Sequence, residues 1–147
     1  MAKTPESVHT DYIRDKLKES GHIHPWKIID DYQGGIPDSM YINTIGKKAP
    51  PVWVEYKYIP DFPIRDTTVI KPKFNNALQQ NWCERLYDTG QPILVVIFVG
   101  KGVKTRCIVF DNKEDWTNGR PTKIARETSI SRPELVARIA KKARGEA

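Results

Sequence analysis

The stretch Ile93-Leu94-Val95-Val96-Ile97-Phe98-Val99 contains no polar side chain and is mostly β-branched. Pro92 opens it and Gly100 closes it. A membrane span needs roughly 18 apolar residues or more, and a half-exposed strand alternates polar with apolar positions. A short unbroken run of this kind is the signature of a strand buried on both faces. Such a strand requires a layer above it and a layer below it, so the chain is expected to fold as a sheet covered by helices.

The remaining segments supply those layers. Thr4 can cap a first helix, with Pro5 in its first position and Glu6 and Ser7 in its first turn. Val8, Tyr12, Ile13 and Leu17 then form one amphipathic face, and Gly21 fits the stop. Trp26 to Tyr32 reads as a strand and Gln33-Gly34-Gly35 as a turn. Ser39 to Ile45 and Val52 to Ile59 read as an antiparallel hairpin around the basic, Pro-rich turn Gly46-Lys47-Lys48-Ala49-Pro50-Pro51. Pro60 to Pro72 is expected to be an exposed loop, Phe74 to Thr89 a second helix ended by Gly90, and Val103 to Phe110 a further strand. Asp111 to Arg126 is polar and irregular. Ser131 can cap a last helix with Pro133 and Glu134 in its first turn and Leu135, Val136, Ile139 and Ala140 on its apolar side. The predicted class is α/β.

At 147 residues the chain fits one domain, with a core over about 5–99 and an extension over about 103–147. Aromatic residues at 10% exclude a disordered chain. Lysine and arginine number 24 against 18 aspartate and glutamate, a net charge of +6. That balance is compatible with a polyanionic partner and does not by itself establish one. The N-terminal Met-Ala-Lys-Thr-Pro-Glu-Ser lacks an apolar signal region. The expected location is therefore intracellular (cytoplasm, nucleoid or an infected host cell), without export or a membrane span. Cys83 and Cys107 are too few for a disulfide framework and read as buried thiols.

Chemistry concentrates in Gly35-Ile36-Pro37-Asp38 and Val54-Glu55-Tyr56-Lys57. On the second hairpin strand Trp53, Glu55, Lys57 and Ile59 share one face, and Val52, Val54, Tyr56 and Tyr58 share the other. A favourable register brings Asp38, at the start of the preceding strand, beside Glu55. Two carboxylates and an ammonium make a poor core, because unpaired buried charge costs several kcal/mol. A hard divalent cation supplies the compensation, since Mg²⁺ takes oxygen ligands, commonly one or two carboxylates with waters and substrate phosphate. Asp38 and Glu55 offer carboxylate oxygens, and the Tyr56 carbonyl offers a third ligand. Lys57, its ammonium favoured by both carboxylates, would then hold an attacking water or stabilise charge on a pentacoordinate phosphate. A general-base role for Lys57 is the less economical alternative.

Pro37-Asp38 followed by Glu55-Tyr56-Lys57 resembles the Pro-Asp…(Asp/Glu)-x-Lys signature of the PD-(D/E)XK nuclease superfamily. The Gly-x-Pro-Asp opening, the Glu-x-Lys strand, and a helix with Gln79, Trp82 and Leu86 ending at Gly90 resemble its VRR-NUC branch and the archaeal-type Holliday-junction resolvases. The resemblance covers about 5–99. It implies a restriction-endonuclease-like core: a mixed sheet of about four or five strands with helices on both sides, here with an extra C-terminal strand and helix. It implies metal-dependent hydrolysis of DNA phosphodiester bonds with Mg²⁺ or Mn²⁺, branched DNA leading over duplex, in replication, recombination or repair, and often a homodimer. It also implies an acidic residue from the first helix, with Glu6 the natural carry-over and Glu19 the second choice. Finally, it implies a helix glutamine near the metal, Gln79, with Gln80 one residue away.

Lys47, Lys48, Arg65, Lys71 and Lys73 lie in loops or turns flanking the motifs and are candidate nucleic-acid phosphate contacts. The alternative function is a non-catalytic nucleic-acid-binding module on the same fold.

Overall fold

The computed structural model describes residues 3–28, 35–46 and 48–146. The expected strand over Ile29–Tyr32, the turn at Gln33-Gly34 and the contact residue Lys47 lie outside the described residues.

Helix α1 (Pro5–Glu19) starts where its sequence dictates, with the Thr4 hydroxyl accepting from the Ser7 amide and Pro5 in the first turn. Strands β1 (Ile23–Lys27), β2 (Ser39–Asn43) and β3 (Val52–Ile59) form an antiparallel meander. The short strand β4 (Val69–Ile70), helix α2 (Ala77–Asp88) and strand β5 (Ile93–Val99) follow, with β5 parallel to β3. A 3₁₀ turn leads into β6 (Arg106–Phe110). The chain ends with α3 (Lys113–Asn118), β7 (Arg120–Pro121), α4 (Thr122–Thr128), β8 (Ile130–Ser131) and α5 (Arg132–Ala143).

Among the described residues, six strands form one sheet in the order β1-β2-β3-β5-β6-β8, and β4 and β7 pair separately. The sheet is wider than four or five strands because the C-terminal β6 joins it antiparallel to β5, and the two-residue β8 adds an edge. Every residue of β5 is buried, as its composition requires. Leu94, Val96 and Phe98 enter a core with Ile13, Leu17, Leu135 and Ile139 of α1 and α5. Ile93, Val95, Ile97 and Val99 enter a second core with Cys83 of α2, Trp116 of α3 and Ala125 of α4. Each such large side chain contributes about 1.5–3 kcal/mol of transfer free energy. Cys83 and Cys107 are free and buried, and burial pushes both thiols up, Cys107 to about 12.

Several boundaries differ from the sequence expectation. Helix α2 begins at Ala77, because Asn76 is its cap and accepts from the Gln79 amide at 2.9 Å. Strand β1 begins at Ile23 rather than Trp26, and β6 begins only at Arg106. The stretch expected to be irregular holds α3, β7 and α4. Its short helices bury few anchors, chiefly Trp116 and Ala125, which leaves no period to read.

Candidate active site

Strands β2 and β3 pair through Tyr41↔Val52, Met40↔Trp53 and Ser39↔Val54, and then part. The Trp53 amide donates to the Pro92 carbonyl, and the Ile59 carbonyl accepts from Gly100. Odd-numbered residues of β3 therefore turn their backbone groups toward β5, and even-numbered ones turn theirs toward β2. The N–H and C=O of Tyr56 face the gap that β2 leaves. Asp38 fills it: the Tyr56 amide donates to Asp38 Oδ2 at 3.2 Å, and the Asp38 amide donates to Glu55 Oε1 at 3.3 Å. The Tyr56 ring lies on the opposite face under α1 and α5, its hydroxyl 2.6 Å from that of Tyr41.

Glu55 is 1% exposed. Its Oε2 lies 3.3 Å from Lys57 Nζ, and that ammonium donates to Gln79 Oε1 at 2.7 Å. The same Gln79 oxygen accepts from the Asn75 amide at 2.9 Å. Gln80 instead donates to Glu84, so of the two glutamines it is Gln79 that contacts Lys57. Gly35 ties the two halves together. Its φ is +80°, and a Cβ there would stand 2.6 Å from the Leu78 carbonyl carbon and 2.7 Å from the Gln79 nitrogen. Only glycine allows the chain leading to Asp38 to lie against the first turn of α2 this closely.

Glu6, from the first turn of α1, joins Asp38, Glu55, Lys57, Lys71 and Lys73 around a cleft of about 300 Å³. All three carboxyl groups are harder to ionise than usual, and burial is the leading cause for each. Glu55 is pushed up to about 8 by burial and then by the Asp38 charge, with Lys57 opposing. Asp38 is raised by burial against the pull of the Tyr56 amide and Lys57, and Glu6 is raised by burial and Asp38.

The remaining candidates fall elsewhere. Lys48 is exposed ahead of β3 and is not among the cleft's lining residues. Arg65 is exposed on the loop after β3 and is not among the cleft's lining residues. Glu19 lies at the far end of α1, roughly 20 Å from Glu6. The structure adds Asn75, Asn76 and Arg14, which sequence reasoning missed, and gives Gly35 a packing role that the motif did not reveal. Arg14 reaches Asp11 at 2.9 Å and the Ser39 hydroxyl at 3.3 Å, and its charge favours ionised Asp38. Asn76, three residues before Gln79, carried a readable cap signal, and Gly35 stood in the motif itself.

Among the described residues no group of three or more His, Cys, Asp or Glu side chains is gathered closely enough to hold an ion alone. Magnesium does not require three, since waters and substrate phosphate complete its shell. The donor set is all oxygen, and burial makes the ionised carboxyl groups costly, with the Asp38 charge adding to that at Glu55 and Glu6 and Lys57 only partly offsetting it. Asp38, Glu55 and the Tyr56 carbonyl thus fit a hard divalent cation, with Glu6 beside them.

No family model matches the chain, and no curated protein matches it. Among solved structures it is similar to a VRR_NUC domain, with a TM-score of 0.45 and 23% identity, covering 67% of this chain and 87% of that one. It is also similar to Hjc of Archaeoglobus fulgidus, a Holliday junction resolvase from an archaeal hyperthermophile, with a TM-score of 0.49 and 9% identity, covering 91% of this chain and 97% of that one. The strand order, the parallel β3–β5 step and the helices on both faces make this an α/β fold built on a central mixed sheet.

Proposed function

We propose that the protein is a nuclease that hydrolyses DNA phosphodiester bonds with Mg²⁺ or Mn²⁺, and that branched DNA is its preferred substrate. The observation that carries this reading is the convergence of Asp38, Glu55 and Lys57, with Glu6, on one cleft edged by Lys71 and Lys73. The preference for branched DNA rests on the motif resemblance alone. A homodimer would present two such clefts to two strands.

Asp38, Glu55 and the Tyr56 carbonyl would hold the cation, which when bound polarises a phosphoryl oxygen and lowers the pKa of water. The chain's own groups supply the rest. The Lys57 ammonium has three donors; Gln79 and Glu55 engage two, leaving one for water or for a phosphate oxygen that gains charge in the transition state. Gln79 restricts where that ammonium can sit, which is a positioning role. Lys71 and Lys73 would hold flanking phosphates.

Calorimetric titration with Mn²⁺, combined with cleavage of duplex, flap and four-way-junction DNA, tests the reading. The expected result is ion binding by the wild type that is lost in Asp38→Asn, and metal-dependent cleavage strongest on branched substrates. A protein that binds DNA yet cuts none of the panel would be the non-catalytic module instead.

A further inference from the structure

The segment from Pro60 to Lys73 brings Lys71 and Lys73 to the cleft and is held from outside by the C-terminal extension. The Thr68 carbonyl accepts from the Thr122 amide at 2.8 Å and from its hydroxyl at 2.6 Å. Arg126 pairs with Asp66 at 3.1 Å and lies over the Phe62 ring at 5.3 Å. Strand β4 pairs with β7, and Gly119 approaches so closely that a Cβ there would stand 2.6 Å from the Ile70 carbonyl oxygen. Residues outside the motif-bearing core therefore fix the shape of this segment.

A second hollow of about 300 Å³ lies along the same segment, lined by Ile59, Pro63, Val69, Ile70 and Pro72. It shares Ile59, Lys71 and Lys73 with the cleft described above, so the two hollows adjoin. From one to the other the lining changes from carboxylates through two ammonium groups to an apolar recess. A polynucleotide strand offers the complementary sequence, an anionic phosphate followed by the apolar face of a base. In duplex DNA that face is stacked and paired, and releasing it costs free energy that an unpaired base does not require.

We propose that this hollow takes an unpaired nucleobase adjacent to the cleaved phosphodiester, with Lys71 and Lys73 on the intervening phosphate. The inference rests on the nuclease reading and deepens it. The base contact favours strands that are unpaired beside the cut, and the C-terminal extension holds the recess in shape.

Binding is measured by fluorescence anisotropy in EDTA, where no cleavage is read, using a single-stranded oligonucleotide and an abasic backbone of equal length and charge. The wild type is expected to bind the base-bearing strand at least ~5-fold more tightly. Val69 is 54% exposed, so Val69→Asp is expected to fold, and it should reduce the difference to within ~2-fold. Pro63→Ser serves as a second variant, and thermal melts check both. Equal affinity of the wild type for the two strands, or a difference that both folded variants retain, would overturn the proposal while leaving the nuclease reading standing. Base-independent binding together with a dimer that Val69→Asp dissociates would assign the hollow to a second copy of the chain, and would overturn it equally. Base-dependent binding by a protein that cuts no DNA would instead reject the nuclease reading and leave the base site standing.

Discussion

The backbone amide of Tyr56 donates to Asp38 Oδ2 at 3.2 Å, at the point where β2 leaves β3. The carboxylate occupies the place that a paired strand would otherwise fill, so Asp38 serves both the sheet and the candidate metal site. Asp38→Asn keeps an oxygen acceptor for the amide and removes the charge. It should unfold in urea within about 1 kcal/mol of the wild type, or above it, while losing Mn²⁺ binding. Asp38→Ala leaves the amide without its partner and should cost about 1–3 kcal/mol. An Asp38→Ala protein as stable as the wild type would show that this contact does not support the fold.

Gly35→Ala meets both a left-handed backbone and the Leu78 carbonyl carbon at 2.6 Å. The expected cost is about 1–3 kcal/mol, a drop of several degrees in Tm, with cleavage reduced at least ~10-fold as Asp38 and Gln79 shift apart. Gly90→Ala is the control, because its φ is +82° but nothing lies within 4 Å of the new methyl. It should lose stability through backbone strain alone and cleave at the wild-type rate. Matching cleavage rates for the two variants would remove the packing role assigned to Gly35.

The proton held by Glu55 makes stability fall with rising pH when no cation is present. The unfolded carboxyl ionises near the ordinary 4.5 and the folded one near 8. Between those values the folded state carries a proton that the unfolded state has lost, so stability declines by up to ~1.4 kcal/mol per pH unit. In EDTA the wild-type urea midpoint should therefore drop between about pH 5 and about pH 8. Glu55→Gln should show a flatter profile and exceed the wild type at the upper end, while losing cleavage. Added Mg²⁺ should raise the midpoint of the wild type there and leave Glu55→Gln unchanged. A wild-type midpoint that is flat or rising across this window would contradict a buried, proton-holding Glu55.

Much of this arrangement was legible because it follows from short-range geometry. The period of two along β3 assigned Glu55 and Lys57 to one face and Tyr56 to the other. The unbroken run in β5 required cover on both sides, which α1 and α5 provide on one and α2, α3 and α4 on the other. What escaped depends on contacts between distant segments. Nothing local reveals that Gly35 lies against Leu78 or that Arg14 reaches Ser39. Lys48 illustrates a different limit: it precedes β3 and Lys71 follows it, yet an eight-residue strand holds its two ends roughly 25 Å apart. Proximity in sequence to Glu55 therefore misleads here, because Lys71, the more distant of the two in the chain, lines the cleft and Lys48 is not among its lining residues.

Lys57 gives the most direct access to the central claim, because its ammonium faces the cleft while Gln79 and Glu55 hold it. The decisive measurement is single-turnover cleavage of a four-way junction and a flap with Mg²⁺, comparing the wild type with Lys57→Ala at saturating protein. The predicted result is metal-dependent cutting by the wild type and a rate at least ~100-fold lower in the variant, with DNA still bound. Equal rates for the two proteins, or no metal-dependent cutting by the wild type, would contradict the assignment of this cleft as a nuclease active site.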